Sequence, residues 1–307
     1  MNILIAGASG FIGQALVKSL QENHRITVLG REEAKLQRLF GASVTIAAWN
    51  ALDSLRAGDY HAVINLCGHN IAASRWSERV KEQVIASRVN TTVTLLNWAI
   101  NQSAKPHFYN ASAIGIYGTQ EQDDPIAYDE NSPIDFQKPR DFLSEIGTRW
   151  ENALSPAEAA GIPVTITRFG VVLKKGQGML KKLAPAFYFG LGSVIGTGTQ
   201  IISWVHIEDI VRAYQFLLNN PQLTGSFNLT SPNPLSQILF AQTLAKSMHR
   251  PLLFKTPAVV IRTIFGEMGE CLLLKGQRVL PKRLMREGFD FKYATLESAL
   301  EQEFRRK

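Results

Sequence analysis

Cysteine is scarce in the 307-residue chain, with Cys67 and Cys271 the two present. Two thiols cannot make a disulfide framework, and their scarcity fits a reducing compartment, so a cytoplasmic location is expected. No cysteine–histidine spacing suits a metal, and the six histidines are scattered; no metal site is expected. Long apolar runs are missing as well. The stretch after Pro251 is interrupted by Lys255, Arg262 and Glu267, which excludes a membrane span. Met1 leads straight into Asn2-Ile3-Leu4-Ile5, without the basic segment and cleavage site of a secretory leader. Repeats at solenoid spacings are absent. The 13 prolines and 23 glycines are spread along the chain rather than massed into a linker.

Apolar residues make up 45% of the chain and charged residues 19%, enough to build one large core or two coupled ones. The formal net charge is +7. Such an excess suits nucleic acid, a membrane surface or an anionic small molecule. Lys275, Arg278, Lys282, Arg283, Arg286 and the Arg305-Arg306-Lys307 tail place basic residues near the end. The plain reading is a solvated basic face. Nucleic-acid binding is not expected, because no aromatic-interleaved basic stripe accompanies these residues.

Short β-rich runs alternate with helical patterns through the first half. Asn2–Ala6, Ile26–Leu29, Ala62–Leu66, His107–Ala111 and Val164–Phe169 read as strands. Phe11–Gln21, Arg75–Asn101 and Phe142–Ala160 carry helical spacing between them. Parallel strands need crossover connections, so this alternation predicts a doubly wound parallel α/β sheet. Beyond about residue 170, glycines punctuate a segment of loop and short helix. Helices at Ile207–Leu218, near Ser236–Met248 and at Thr295–Phe304 follow, with a strand at Ser226–Leu229. The expected division is 1–170 for the sheet domain and 171–307 for a smaller α/β cap, the chain being free to cross back.

Residues 3–13 read Ile-Leu-Ile-Ala-Gly-Ala-Ser-Gly-Phe-Ile-Gly. Gly7 permits the tight turn after the strand, Gly10 lets a phosphate approach the backbone, and Gly13 lets the helix pack closely. With Ser9, Phe11 and Ile12 between them, they open a helix whose free N–H groups favour a pyrophosphate. This is a Rossmann-type dinucleotide turn. The second strand ends at Gly30-Arg31, where a site for unphosphorylated ribose would hold a carboxylate. A carboxylate would repel a 2′-phosphate, whereas the Arg31 guanidinium can pair with one. NADP(H) is therefore the expected cofactor.

The Gly-x-x-Gly-x-x-Gly spacing resembles the extended short-chain dehydrogenase/reductase superfamily, with its NAD-dependent epimerase/dehydratase group. Ala62–Gly68, Asn110-Ala111-Ser112-Ala113 with Tyr117-Gly118, Arg168–Leu173 and Trp204–Asp209 look like its later motifs. Arg75-Trp76, Arg149-Trp150-Glu151, Gly190–Gly198 and Gln277–Leu284 resemble an atypical branch of epimerase family proteins with a short C-terminal domain of unknown function. The resemblance implies cofactor contacts at Gly30, Arg31, Leu66, Cys67, Gly68, Gln83, Arg88 and Val172.

Superfamily members that move hydride pair a tyrosine with a lysine four residues later. Registering Glu151 on the family's glutamate puts Leu143 and Gly147 at those positions, so the dyad is missing. Three substitutes present themselves. Ser112 either hydrogen-bonds a substrate carbonyl or caps backbone. Tyr117 either donates a proton or packs. His206, with Asp209 a turn away, is either an acid–base group or a satisfied structural histidine. Arg75 and Arg168 are expected to bind an anionic substrate, or else to form ion pairs; a buried Arg168 must meet a carboxylate or an anionic ligand. Cys67 reads as a packing residue. The expected function is an NADP(H)-dependent oxidoreductase or epimerase-like enzyme acting on a small polar molecule. The alternative is a catalytically idle NADP-sensing or binding module with a protein or RNA partner.

Overall fold

The computed structural model describes residues 1–102, 104–121 and 124–305. The first half runs β1 (Asn2–Ala6), α1 (Phe11–Leu20), β2 (Arg25–Gly30), α2 (Glu33–Phe40), β3 (Thr45–Ala48), β4 (Ala62–Asn65), α3 (Glu78–Ile100), β5 (His107–Ala113), α4 (Phe142–Asn152), α5 (Pro156–Ala159) and β6 (Val164–Phe169). The second half continues through β7 (Val171–Leu173), α6 (Gly178–Tyr188), β8 (Ser193–Ile195), β9 (Ile201–Ile202), β10 (Trp204–His206), α7 (Ile207–Asn219) and β11 (Gly225–Leu229). It ends with β12 (Leu235–Ser236), α8 (Gln237–Ser247), β13 (Phe254–Thr256), α9 (Ala258–Phe265), α10 (Glu267–Gly269), α11 (Lys282–Arg286) and α12 (Leu296–Phe304).

Seven strands form one parallel sheet in the order β11-β6-β5-β4-β1-β2-β3. The order reverses between β1 and β4, which opens a crevice at the carboxyl ends of those two strands. Side chains alternate across the pleat. Ile3 and Ile5 join α1 and α7 through Leu16, Ile210 and Leu217, whereas Leu4 and Ala6 join α3 through Leu95 and Trp98 on the other face. Thus α7 and β11, which follow residue 170 in the chain, belong to the main sheet and its cover. A separate core of Leu180, Trp204, Phe240, Leu244 and Leu300 lies among the later elements.

The helical pattern at 142–160 is broken in two. Pro156 has no N–H to donate into a continuing helix, so it opens α5 instead. At the start of α4, Asp141 accepts from Ser144 N while the Ser144 hydroxyl accepts from Asp141 N, closing a capping box. The edge strand β3 has no signature in its Thr-Ile-Ala-Ala sequence, because pairing with β2 alone asks little of its side chains. Among the described residues, no helix is long and apolar enough to cross a membrane.

Candidate functional site

The turn after β1 is built by contact with its neighbour. Gly7 has φ +79°, and a Cβ there would lie 2.7–2.9 Å from the Leu66 carbonyl and Cys67 N, so any side chain would strike the end of β4. At Gly13 a Cβ would meet Gly7 O and Ala8 Cα at 2.6 Å. The close packing expected there is against the turn's own backbone. Gly10 differs: its Cβ would find Gly7 O at 3.2 Å and nothing else within 4 Å, which leaves one side open. The Gln14 amide donates to Ser9 O at 2.8 Å and steadies the loop. No side chain caps α1, and no acid stands in its first turn, so the N–H groups at Phe11 and Ile12 face an anion-attracting opening.

Around this turn the sheet gathers most of the residues expected to touch a cofactor. Gly30 ends β2, and a Cβ there would press on Leu36 Cδ1 at 2.9 Å, so a side chain at this position would have to displace the tip of Leu36. Arg31 is exposed beside it, near enough to Cys67 for its charge to act on the thiol. Burial nonetheless pushes Cys67 up to about 12, which leaves it a poor nucleophile. The Arg88 guanidinium lies against Gly68, 3.1 Å from where a Cβ would stand, and 5.1 Å over the Trp150 ring. Its Nη1 donates to Val84 O at 2.9 Å, but its buried Nε has no partner among the described residues. Burial lowers its pKa to about 10. Val172 joins the group through Gly178, where a Cβ would lie 3.3 Å from Val172 O and 3.5 Å from the Phe11 ring. Gln83 is exposed on α3, about 140° round the helix from Arg88.

A polar ladder unanticipated from the sequence holds this geometry. Asn65 Nδ2 donates to Asn110 Oδ1 at 2.8 Å and to Thr92 Oγ1 at 3.0 Å. Cys67 N donates to Asn65 Oδ1 at 3.1 Å, and Trp150 Nε1 donates to Thr92 Oγ1 at 3.1 Å. Two strands and two helices are thereby fixed behind residues 66–68. The only signal was an asparagine in each of two apolar strands, at the end of β4 and in the middle of β5.

Ser112, Tyr117 and Arg168 are brought together, and all three are buried. Arg168 Nε and Nη2 donate to the two Glu151 carboxylate oxygens at 2.8 and 2.7 Å. Ser112 Oγ donates to Glu151 Oε1 at 2.7 Å. Arg168 Nη1 donates to the Tyr117 hydroxyl at 2.8 Å, which in turn donates to Asn228 Oδ1 at 2.9 Å. Burial pushes the Tyr117 phenol up to about 12, away from acid–base work near neutrality. The carboxylate that Arg168 required is Glu151, four residues past Gly147 on α4. Gly147 itself is packed out: a Cβ would lie 2.5 Å from Ile116 Cβ. Leu143 Cβ stands 3.1 Å from the Cβ position of Gly115.

His206 and Asp209 lie apart from this network and hold the C-terminal segment. His206 Nδ1 accepts from Glu208 N at 3.2 Å, so its Nε2 carries the proton and donates to Glu303 on α12 at 2.8 Å. The Asp209 carboxylate accepts from Lys292 N and Tyr293 N at 2.8 and 2.9 Å. Arg75 donates to Thr263 O at 3.4 Å, against the carbonyl end of α9, where a cation is favoured. It does not approach Arg168's network. Of the basic residues near the end, Lys275 pairs with Glu121 at 2.8 Å, Lys282 with Asp129 at 2.7 Å and Arg286 with Glu287 at 3.3 Å. Arg306 and Lys307 lie outside the described residues.

Strand order, glycine turn and switch-point crevice define a Rossmann-type α/β protein whose C-terminal segment is latched onto the sheet. A sequence model for the NAD dependent epimerase/dehydratase family matches residues 3–229, and one for a domain of unknown function (DUF1731) matches 256–303. The chain belongs to the NAD-dependent epimerase/dehydratase family. It is 36% identical to epimerase family protein Mb2239 of Mycobacterium bovis, over 97% of this chain and 96% of that one. Epimerase family protein YfhF of Bacillus subtilis is 34% identical over 98% and 97% of the two chains. The crystal structure of human epimerase family protein SDR39U1 with NADPH superposes with a TM-score of 0.87 at 28% identity, covering 99% of each chain.

Proposed function

We propose that the chain binds NADP(H) at the β1–β4 switch point and acts as an epimerase-like oxidoreductase on a small polar substrate. The observation that carries the reading is a pair of cations around an uncapped helix N-terminus, neither with a carboxylate partner among the described residues. Arg31 stands free at the end of β2, and Arg88 keeps a buried, unpartnered Nε beside Gly68. A buried guanidinium without a counter-charge is costly, and a phosphorylated dinucleotide would relieve it. The human SDR39U1 structure with NADPH supports the choice of cofactor. When bound, the nicotinamide supplies a two-electron donor or acceptor. The chain's own part is to cradle phosphate at Gly10, recognise the 2′-phosphate with Arg31 and hold the ribose end beside Leu66–Gly68.

Proton transfer in this reading falls to a water. Ser112, Tyr117 and His206 are each buried and hydrogen-bonded to protein, and the usual tyrosine and lysine positions carry Leu143 and Gly147. That same packing favours the second reading, an NADP(H)-binding module without turnover. Calorimetric titration tests the common core: NADPH binds more tightly than NADH, and Arg31→Ala reduces that preference by about tenfold or more. Absence of binding by either nucleotide at micromolar concentration refutes it. NADPH oxidation across a panel of carbonyl compounds and sugar nucleotides then separates the enzyme from the idle module.

A further inference from the structure

Exposed apolar side chains are concentrated rather than scattered. Of 15 large hydrophobic residues left exposed among the described residues, eight fall in the windows 188–191 and 253–264. The two windows adjoin. β8 pairs with β13, Ser193 opposite Phe254; Arg250 Nε donates to Tyr188 O at 2.6 Å; and the Arg250 guanidinium lies 5.1 Å over the Tyr188 ring. Together they make a crest in which Phe189 is 74% exposed, Leu191 60% and Leu253 77%. Beneath it runs a groove of about 680 Å³ between α6, the end of α8 and Phe304. Lys175, Lys181, His249 and Arg250 are among its lining residues, and no carboxylate is.

The charge around the crest is one-sided. Residues 174–262 hold two acids, Glu208 and Asp209, and six cations with no carboxylate partner among the described residues, Lys175, Lys181, Lys182, Lys246, Arg250 and Lys255; Lys174, Arg212 and Arg262 are paired with Glu303, Asp209 and Glu270. Asp209 is buried, and Glu208 is paired with Lys292 at 2.6 Å. Like charges facing each other across a two-fold contact would oppose a second copy of the chain. Nucleic acid or an acidic protein would meet the cations but leave Leu191 and Leu253 in water. An anionic bilayer satisfies both, since aromatic and aliphatic side chains enter the headgroup–acyl boundary while lysine and arginine hold the headgroups.

We propose that this crest is a peripheral docking surface for an anionic lipid membrane, with Phe189, Leu191 and Leu253 entering the interface and Lys175, Lys181 and Arg250 contacting headgroups. The contact is interfacial, and it is independent of the cofactor reading.

Co-sedimentation of the full chain with vesicles tests it. Binding to phosphatidylcholine containing roughly one third phosphatidylglycerol is expected to exceed binding to phosphatidylcholine alone, and to weaken as salt rises. Phe189→Asp with Leu253→Asp lowers the partition coefficient by about tenfold or more. Lys175→Gln and Lys181→Gln each lower it about fivefold. These are surface positions, so thermal midpoint and NADPH affinity stay at wild-type values and report that the fold is kept. Equal binding to both vesicle types, no binding to either, or indifference to the crest variants overturns the proposal. So does a dimer, seen by light scattering and broken by the crest variants, in a protein that ignores vesicles. Polyanion binding that the lysine variants abolish and the crest variants leave intact would likewise overturn it.

Discussion

Removing the Glu151 carboxylate should damage the fold more than the cofactor site. The Glu151 and Arg168 side chains are 4% and 5% exposed. Two short charge-assisted bonds join them, and Ser112 donates to the same carboxylate. Glu151→Ala leaves a guanidinium buried without its counter-ion and costs about 3–5 kcal/mol. For a chain of this size that corresponds to a fall of roughly 5–8 °C in Tm. Glu151→Gln keeps shape and one acceptor but loses the charge, and costs about 2 kcal/mol. The double variant Glu151→Leu, Arg168→Met removes both charges; Tyr117 retains Asn228, and most of the lost stability returns. Urea denaturation and scanning fluorimetry on the single and double variants measure this, with NADPH titration alongside. A Glu151→Ala protein within about 1 kcal/mol of wild type, or a double variant no better than that single, would refute the structural assignment of the pair.

Three further outcomes follow from the same geometry. Leu143→Tyr with Gly147→Lys, which restores the usual dyad in sequence, should gain no NADPH turnover and lose about 1–3 kcal/mol of stability; a Cβ at 147 lies 2.5 Å from Ile116 Cβ. Burial raises Cys67 to about 12 and Cys271 to about 11, so a thiol reagent at mildly alkaline pH should label neither quickly in the folded protein and both after denaturation; rapid native labelling of Cys67 would contradict its packing role. Glu303 is pushed up by burial, but His206, the Lys175 N–H and the Lys174 ammonium outweigh this and hold its carboxyl at about 2, below its usual 4.5. A lowered folded-state value means the stabilisation is present above about pH 4.5 and is lost as pH falls toward 2. Its full size is about 3 kcal/mol, and urea midpoints for wild type and Glu303→Gln should converge across that window; a difference that stays constant with pH would exclude the linkage.

What the sequence alone determined was local. The glycine spacing dictated the β1–α1 turn, because positive φ and backbone contact exclude every other residue at Gly7. Alternating strands and helices dictated the parallel sheet, and Gly30 marked the end of β2. Breaks invisible to periodicity, such as the separation of α4 from α5 at Pro156, shifted boundaries without altering topology. What tertiary structure alone decided were the partners of each polar group. Arg168 needed a counter-charge on any reading, but nothing in its strand could say that Glu151 supplies it, 17 residues earlier on a helix. His206 could be an acid–base group or a structural histidine, and nothing near it in sequence could say that its Nε2 donates a hydrogen bond to Glu303, 97 residues later. Periodicity shows which face of an element is buried. Which charge neutralises which depends on distances between elements far apart in the chain, and only the packed sheet with its latched C-terminal segment sets those.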